Sequence, residues 1–209
     1  MKLRVIFAAA VALLLAGCGS VHPGAAAVVG DTSIPMSEAD DVASVYCRLA
    51  LLSSGPSAPV PNADVRRQAV TDLVVGVVAR DMAEQAEVTP NPSSYEITRA
   101  QRADIAKSFP ADELDLVVDT IEDAQRTYAI AELLGGRRVS DPDAEAEQLR
   151  ARGLELIQAE IARRDVRFDP RFGIARDGRQ KAATGSLSVT VKAPDPDQKE
   201  LPATQQCTS

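Results

Sequence analysis

Aromatic side chains are scarce in this chain of 209 residues: they make up 3%, and Trp is absent. Bases and sugar rings are usually gripped on aromatic platforms, so sites of both kinds are disfavoured. Histidine is scarcer still, with His22 alone. A Ser-His-Asp or Cys-His nucleophilic site cannot be assembled without a usable His, and zinc lacks its commonest nitrogen ligand. Positive charge is in deficit too, with 23 Lys and Arg against 30 Asp and Glu and a formal net charge of −7. Such a chain is a poor nucleic-acid binder and is repelled by anionic lipid headgroups. Long apolar runs are also missing. The longest, Val5 to Ala16, holds about a dozen residues, where a membrane-spanning helix needs roughly 20.

That run follows Met1-Lys2-Leu3-Arg4 and has the form of a secretory leader, charged and then apolar. It ends Leu15-Ala16-Gly17-Cys18, which resembles the bacterial lipobox. There, small residues let a peptidase bind extended backbone, and the Cys thiol carries lipid. The reading is a signal peptide over 1–17, lipidation of Cys18 and a tether over 18–24; a plain signal peptide with a chance Cys is the alternative. One acyl chain binds only reversibly, at about 0.8 kcal/mol per buried CH2, whereas a diacylglycerol has two. The expected location is the extracytoplasmic face of the cell membrane. Cys47 and Cys207 remain. An even count in an oxidising compartment predicts a disulfide, which would pin a polar tail to the body; two free thiols, or a metal pair lacking other ligands, are the alternatives.

Apolar spacing predicts five helices between two short strands. A strand and a Gly30-Asp31 turn occupy 25–35. Helices follow over about 37–53 behind Ser37, 63–86 behind Asn62, 93–107, 111–134 after Pro110 and up to Gly135-Gly136, and a fifth capped by Ser140 with Pro142 in its first turn. Arg163-Arg164 close the last helix. Val166-Arg167-Phe168 alternates as a strand does, and Asp169-Pro170 turns the chain into Arg171-Phe172-Gly173. This stretch spends two of the four phenylalanines. Residues 186–191 are a further strand candidate, and 192–209 read as an irregular tail tied by Cys207. Isolated short strands are unstable. The strand at about 26–29 is therefore expected to pair with 166–168, closing a mainly α bundle over 25–191.

Both ends of that body resemble the N-terminal chaperone domain of the SurA/PrsA family of exported folding factors. The family opens Ala-x-Val-Asn-Gly-x-x-Ile, and this chain has Ala27-Val28-Val29-Gly30-Asp31-Thr32-Ser33-Ile34, with Val29 in place of Asn. The family closes Val-x-Val-Asp-Pro-Arg-Tyr-Gly, and this chain has Val166-Arg167-Phe168-Asp169-Pro170-Arg171-Phe172-Gly173. The resemblance implies a helical bundle tied by a small sheet, similar to the C-terminal domain of trigger factor. It also implies a cradle for unfolded exported chains. Many members add a parvulin isomerase domain of roughly 90 residues. After Gly173 only 36 residues remain here, and no His.

No other motif points to chemistry. Asp112, Glu113 and Asp115 suit a helix start. Asp141, Asp143 and Glu145 begin like a calcium loop but lack its later Gly and Glu. Gly135-Gly136-Arg137-Arg138 follows no strand and so is not a phosphate loop. Asp169 and Arg171 are expected to turn the chain and pair with a carboxylate, and Phe168 and Phe172 to seal the sheet. The expectation is a non-enzymatic, cofactor-free, lipid-anchored chaperone for exported proteins. Its binding surface would be an apolar groove between helices, with loop 54–62 as a rim. The alternative is an envelope scaffold holding one folded partner.

Overall fold

The computed structural model describes residues 23–54, 60–139, 141, 143–179 and 205–207. Residues 1–22, Cys18 among them, lie outside these, as do Ser140, Pro142, the strand candidate at 186–191 and most of the tail. The architecture is mainly helical with one small antiparallel sheet, in the order β1 (Ala25–Val29), β2 (Thr32–Pro35), α1 (Met36–Ser54), α2 (Asn62–Gln85), α3 (Arg99–Ile105), α4 (Leu114–Gly136), α5 (Ala146–Arg163) and β3 (Val166–Phe168). Short 3-10 turns stand at Pro92–Ser94 and Pro170–Phe172.

β1 is the central strand. It pairs with β3 through Ala27–Phe168, Val28–Arg167 and Val29–Val166, and with β2 through Val29–Thr32 to Ala25–Pro35. Residues 32–35, which follow the expected Gly30-Asp31 turn, form a third strand. Gly30 turns the hairpin at φ +56, a conformation Gly adopts without the Cβ penalty. Its N–H donates to Asp165 O at 3.2 Å, which fastens the turn to the end of α5. Ala26 to Val29 are buried without interruption, as a strand covered on both faces requires.

α2 is the hub. Val74, Val75, Gly76, Val77, Val78 and Ala79 are six consecutive buried residues, more than a surface helix with a one-sided stripe can show. Around it pack β1, Ile130, Ala131 and Leu134 of α4, and Ile157 and Ile161 of α5. At one end Val45, Phe109 and Val117 form a smaller cluster. Arg164 bridges from α5 to Asp81 of α2 and to Glu160 of its own helix, so it ties helices together rather than only facing the helix dipole.

Several boundaries differ from the expectation. Residues 93–107 are not one helix. Thr98 accepts from Gln101 N–H, and Gln101 returns to Thr98 N–H. This capping box requires an extended backbone at Thr98 (ψ 158), which interrupts the helix there. α5 starts at Ala146, not behind Ser140. Asp143 N–H donates to the Asp141 carboxylate at 3.0 Å, a local turn that competes with helix. α2 is preceded by Pro61, with no side-chain cap. α4 begins at Leu114 and runs through Gly135-Gly136 instead of stopping before them.

The reason for those glycines is the α4–α5 crossing. A Cβ at Gly135 would lie 1.9 Å from Leu149 O, and one at Gly153 1.8 Å from Ala131 O. The two helices touch backbone to backbone, so only hydrogen fits at either site. Gly135→Ala and Gly153→Ala are each expected to destabilise the fold by about 2 kcal/mol or more, since backbone must move to relieve the overlap. At Gly136 the nearest atom to an added Cβ is Leu149 Cδ1 at 3.9 Å, so Gly136→Ala is expected to stay within about 1 kcal/mol of the native chain. Urea unfolding of the three variants separates a close crossing from a plain helix stop; equal stability of all three would refute the crossing argument.

Candidate functional site

The elements reach two candidate surfaces. The sheet-closing motif is the first. Val166 is fully buried, Phe172 is buried, and Phe168 packs against the core from its edge. Asp169 stops the strand: its carboxylate accepts from Arg171 N–H at 2.9 Å, and Pro170 sits in the first position of the following turn. Arg171 then pairs with Asp169 through two contacts, at 2.9 and 3.0 Å. That ion pair holds the Asp169 carboxyl below the usual carboxylate range, mainly through the Arg171 hydrogen bond. Gly173 leaves the turn at φ +61. Arg66 lies over the Phe172 ring at 5.9 Å. Its charged side chains pair locally, Arg171 with Asp169 and Arg167 with Asp165, which marks the motif as a closure of the sheet. The expected partner carboxylate for Arg171 is Asp169.

Cys47 and Cys207 meet as a disulfide, with their Cα atoms 5.4 Å apart. Cys207 N–H donates to Val60 O at 2.8 Å, and Gln206 bridges to Pro61. The closed loop spans 160 residues, and the chain-entropy account gives such a loop on the order of 5 kcal/mol. Gln206 and Cys207 therefore sit against Val60 and Pro61. Residues 55–59 of loop 54–62 lie outside the described residues, and its described members Val60 and Pro61 do not line the groove that follows.

The second surface is that groove, with a volume of about 360 Å³, where α1, α2, α4 and α5 converge. Its lining follows the helical period. α1 contributes Glu38, Val42 and Tyr46; α2 contributes Asp72, Gly76 and Arg80; α4 contributes Leu116, Thr120, Ala124 and Tyr128. Each set is spaced by four residues, which places it on one helix face. Leu73, Val75 and Leu154 add apolar floor. Depth comes from small side chains. A Cβ at Gly76 would stand 3.4 Å from Thr127 Oγ1, in ordinary contact, so Gly76 leaves space rather than avoiding a collision. Tyr128 is 46% exposed at the mouth, with the Arg150 guanidinium 5.5 Å from its ring centre.

Asp72 is the polar centre of the groove. Tyr46 Oη donates to Asp72 Oδ2 at 3.0 Å, and Gln68 Nε2 donates to Oδ1 at 2.8 Å. Burial raises the Asp72 carboxyl above the usual carboxylate range, against the lowering effect of those two hydrogen bonds. Burial also raises Tyr46, helped by the charge of Asp72. The sequence carries no signal for Tyr46 beyond its place in the expected first helix, and none for Asp72, since nothing local separates it from other helical aspartates. No group of His, Cys, Asp and Glu among the described residues is arranged to hold a metal ion.

Because the folded pKa of Asp72 lies above its unfolded value, its stabilising contribution is complete below the unfolded pKa and is lost as pH rises through the folded pKa. Asp72→Asn retains an acceptor for Tyr46 without a charge to bury. The melting temperature of the variant, minus that of the native chain, is expected to rise between about pH 4 and pH 7 in paired calorimetric scans. A difference that falls over that range would contradict the burial of an unpaired charge. Comparison of the chain with known protein families, curated proteins and solved structures gives no match.

Proposed function

We propose that this chain is a lipid-anchored, non-enzymatic holding factor for exported polypeptides, with a body of the SurA/PrsA N-terminal type. The observation that carries the reading is the open groove: an apolar floor at the meeting of four helices, with a volume of about 360 Å³, in the range of binding clefts. The two terminal motifs that resemble the family, Ala27–Ile34 and Val166–Gly173, support it by lying side by side in one sheet. Placement at the membrane rests on Leu15-Ala16-Gly17-Cys18. A body of net negative charge would stand off an anionic surface, held by lipid on Cys18. With one His in the whole chain, the polar groups of the groove serve binding better than nucleophilic or parvulin-type chemistry.

A second reading is an envelope scaffold for one dedicated folded partner. It is favoured by the small number of large apolar side chains exposed among the described residues, namely Leu52, Tyr128 and Leu133. General holding factors work through broad apolar patches.

Two measurements test the proposal. Cell fractionation is expected to find the native chain with the membrane and Cys18→Ser in the soluble extracytoplasmic fraction; membrane retention of that variant would remove lipid on Cys18 as the anchor. The full chain in lipid nanodiscs, at stoichiometric amounts and without ATP, is expected to suppress aggregation of several unrelated unfolded proteins relative to empty nanodiscs. Protection of none of them would reject general holding and leave the dedicated partner.

A further inference from the structure

The groove has a charge imbalance. Four carboxylates line it, Glu38, Asp72, Asp119 and Asp123, against one guanidinium, Arg80. Only Asp123 is compensated among the described residues, by Arg126 at 3.3 Å. Asp72 receives hydrogen bonds from Tyr46 and Gln68, both neutral donors, and pairs with no cation of the described residues. Arg80 shares its helix face and reaches back along it, with Nη1 3.5 Å from where a Cβ on Gly76 would stand, yet among the described residues it makes no ion pair with Asp72. A carboxylate held partly out of water without a counter-charge is unfavourable for the fold. Here it is retained in the wall of an apolar cleft, where low-dielectric walls focus its field toward whatever enters.

Resting on the holding reading above, we infer that the groove selects apolar segments carrying a basic side chain, whose ammonium or guanidinium pairs with the Asp72 carboxylate. The apolar residues of the segment lie on Val42, Leu73, Leu116 and Leu154. The stem of a Lys or Arg crosses the same floor while its charged head reaches the acidic wall, as such side chains do at apolar surfaces. Glu38 and Asp119 at the rim steer the approach. An acidic segment of equal hydrophobicity is repelled by the same wall. Charge complementarity therefore sets which stretches of an exported chain are held.

The test uses three fluorescein-labelled 12-residue peptides with identical Leu and Val positions and two Lys, two Gln or two Glu between them. Anisotropy is read on the full chain in phosphatidylcholine nanodiscs, which carry no net lipid charge, with empty nanodiscs as the control. The Lys peptide is expected to bind about tenfold more tightly than the Gln peptide, as close charge pairs at interfaces do, and the Glu peptide more weakly than both. The preference is expected to shrink in Asp72→Asn and at high salt. Gly76→Leu, which fills the groove floor, is expected to abolish binding of all three. Tyr128→Ala, at the exposed mouth, is a second variant that weakens binding without loading the core. Equal binding of the Lys and Gln peptides, lost in Gly76→Leu, would overturn charge selection and leave the holding reading standing. Binding of none of them would overturn both. Retention of the Lys preference in Asp72→Asn would overturn the role of that carboxylate.

Discussion

Burial of the middle of α2 on every side is the constraint from which the other features follow. Six consecutive residues, Val74 to Ala79, are withdrawn from water. A helical segment with no solvent face must be covered all round, and no single neighbour can do that. β1 covers one side, α4 and α5 cover another, and α1 a third. The sheet exists because β1 must be paired to lie in that position, and its partners come from both ends of the body. Removing a partner strand would expose the backbone of a strand whose side chains are buried on both faces, a loss of hydrogen bonds as well as of apolar contact.

The same constraint produces the groove. Where α2 offers Val70, Val74 and Val78 the neighbours close over it. Where it offers Gly76 between Asp72 and Arg80, the facing positions on α4 are Thr120, Ala124 and Thr127, and the gap is not filled. Elsewhere two glycines serve the opposite purpose. Gly135 and Gly153 bring α4 and α5 into backbone contact. One residue type thus makes both a backbone-to-backbone helix contact and part of the floor of a cleft. The difference lies in what stands across from each glycine.

Charge arrangement distinguishes the two surfaces. At Asp169 and Arg171 every charge is answered within two residues, as expected of a structural turn. At Asp72 the charge is answered only by neutral donors, and burial disfavours its ionised form. A structural site and a binding site can carry the same residue types. What separates them is whether the fold supplies the counter-charge, and at Asp72 it does not.

Much of the fold was legible from local pattern. Period-four apolar positions located α1, α2, α4 and α5, alternation at Val166–Phe168 located β3, and pairing of the two terminal strands followed from the instability of lone strands. Cys47 and Cys207 were expected as partners from compartment and count. Local pattern failed where two local signals competed: the Thr98–Gln101 capping box broke a helix that apolar spacing alone would have continued, and the Asp141 turn delayed α5. It failed also at Gly135-Gly136, where glycine is the same letter whether it ends a helix or admits a neighbour. Composition by itself disfavoured aromatic platforms and histidine chemistry, because four Phe, three Tyr and one His leave little to build them from. Only the tertiary structure decided that Asp72, Tyr46 and Gly76 share one cleft, because the depth of a cleft and the missing counter-charge depend on residues that lie far apart along the chain.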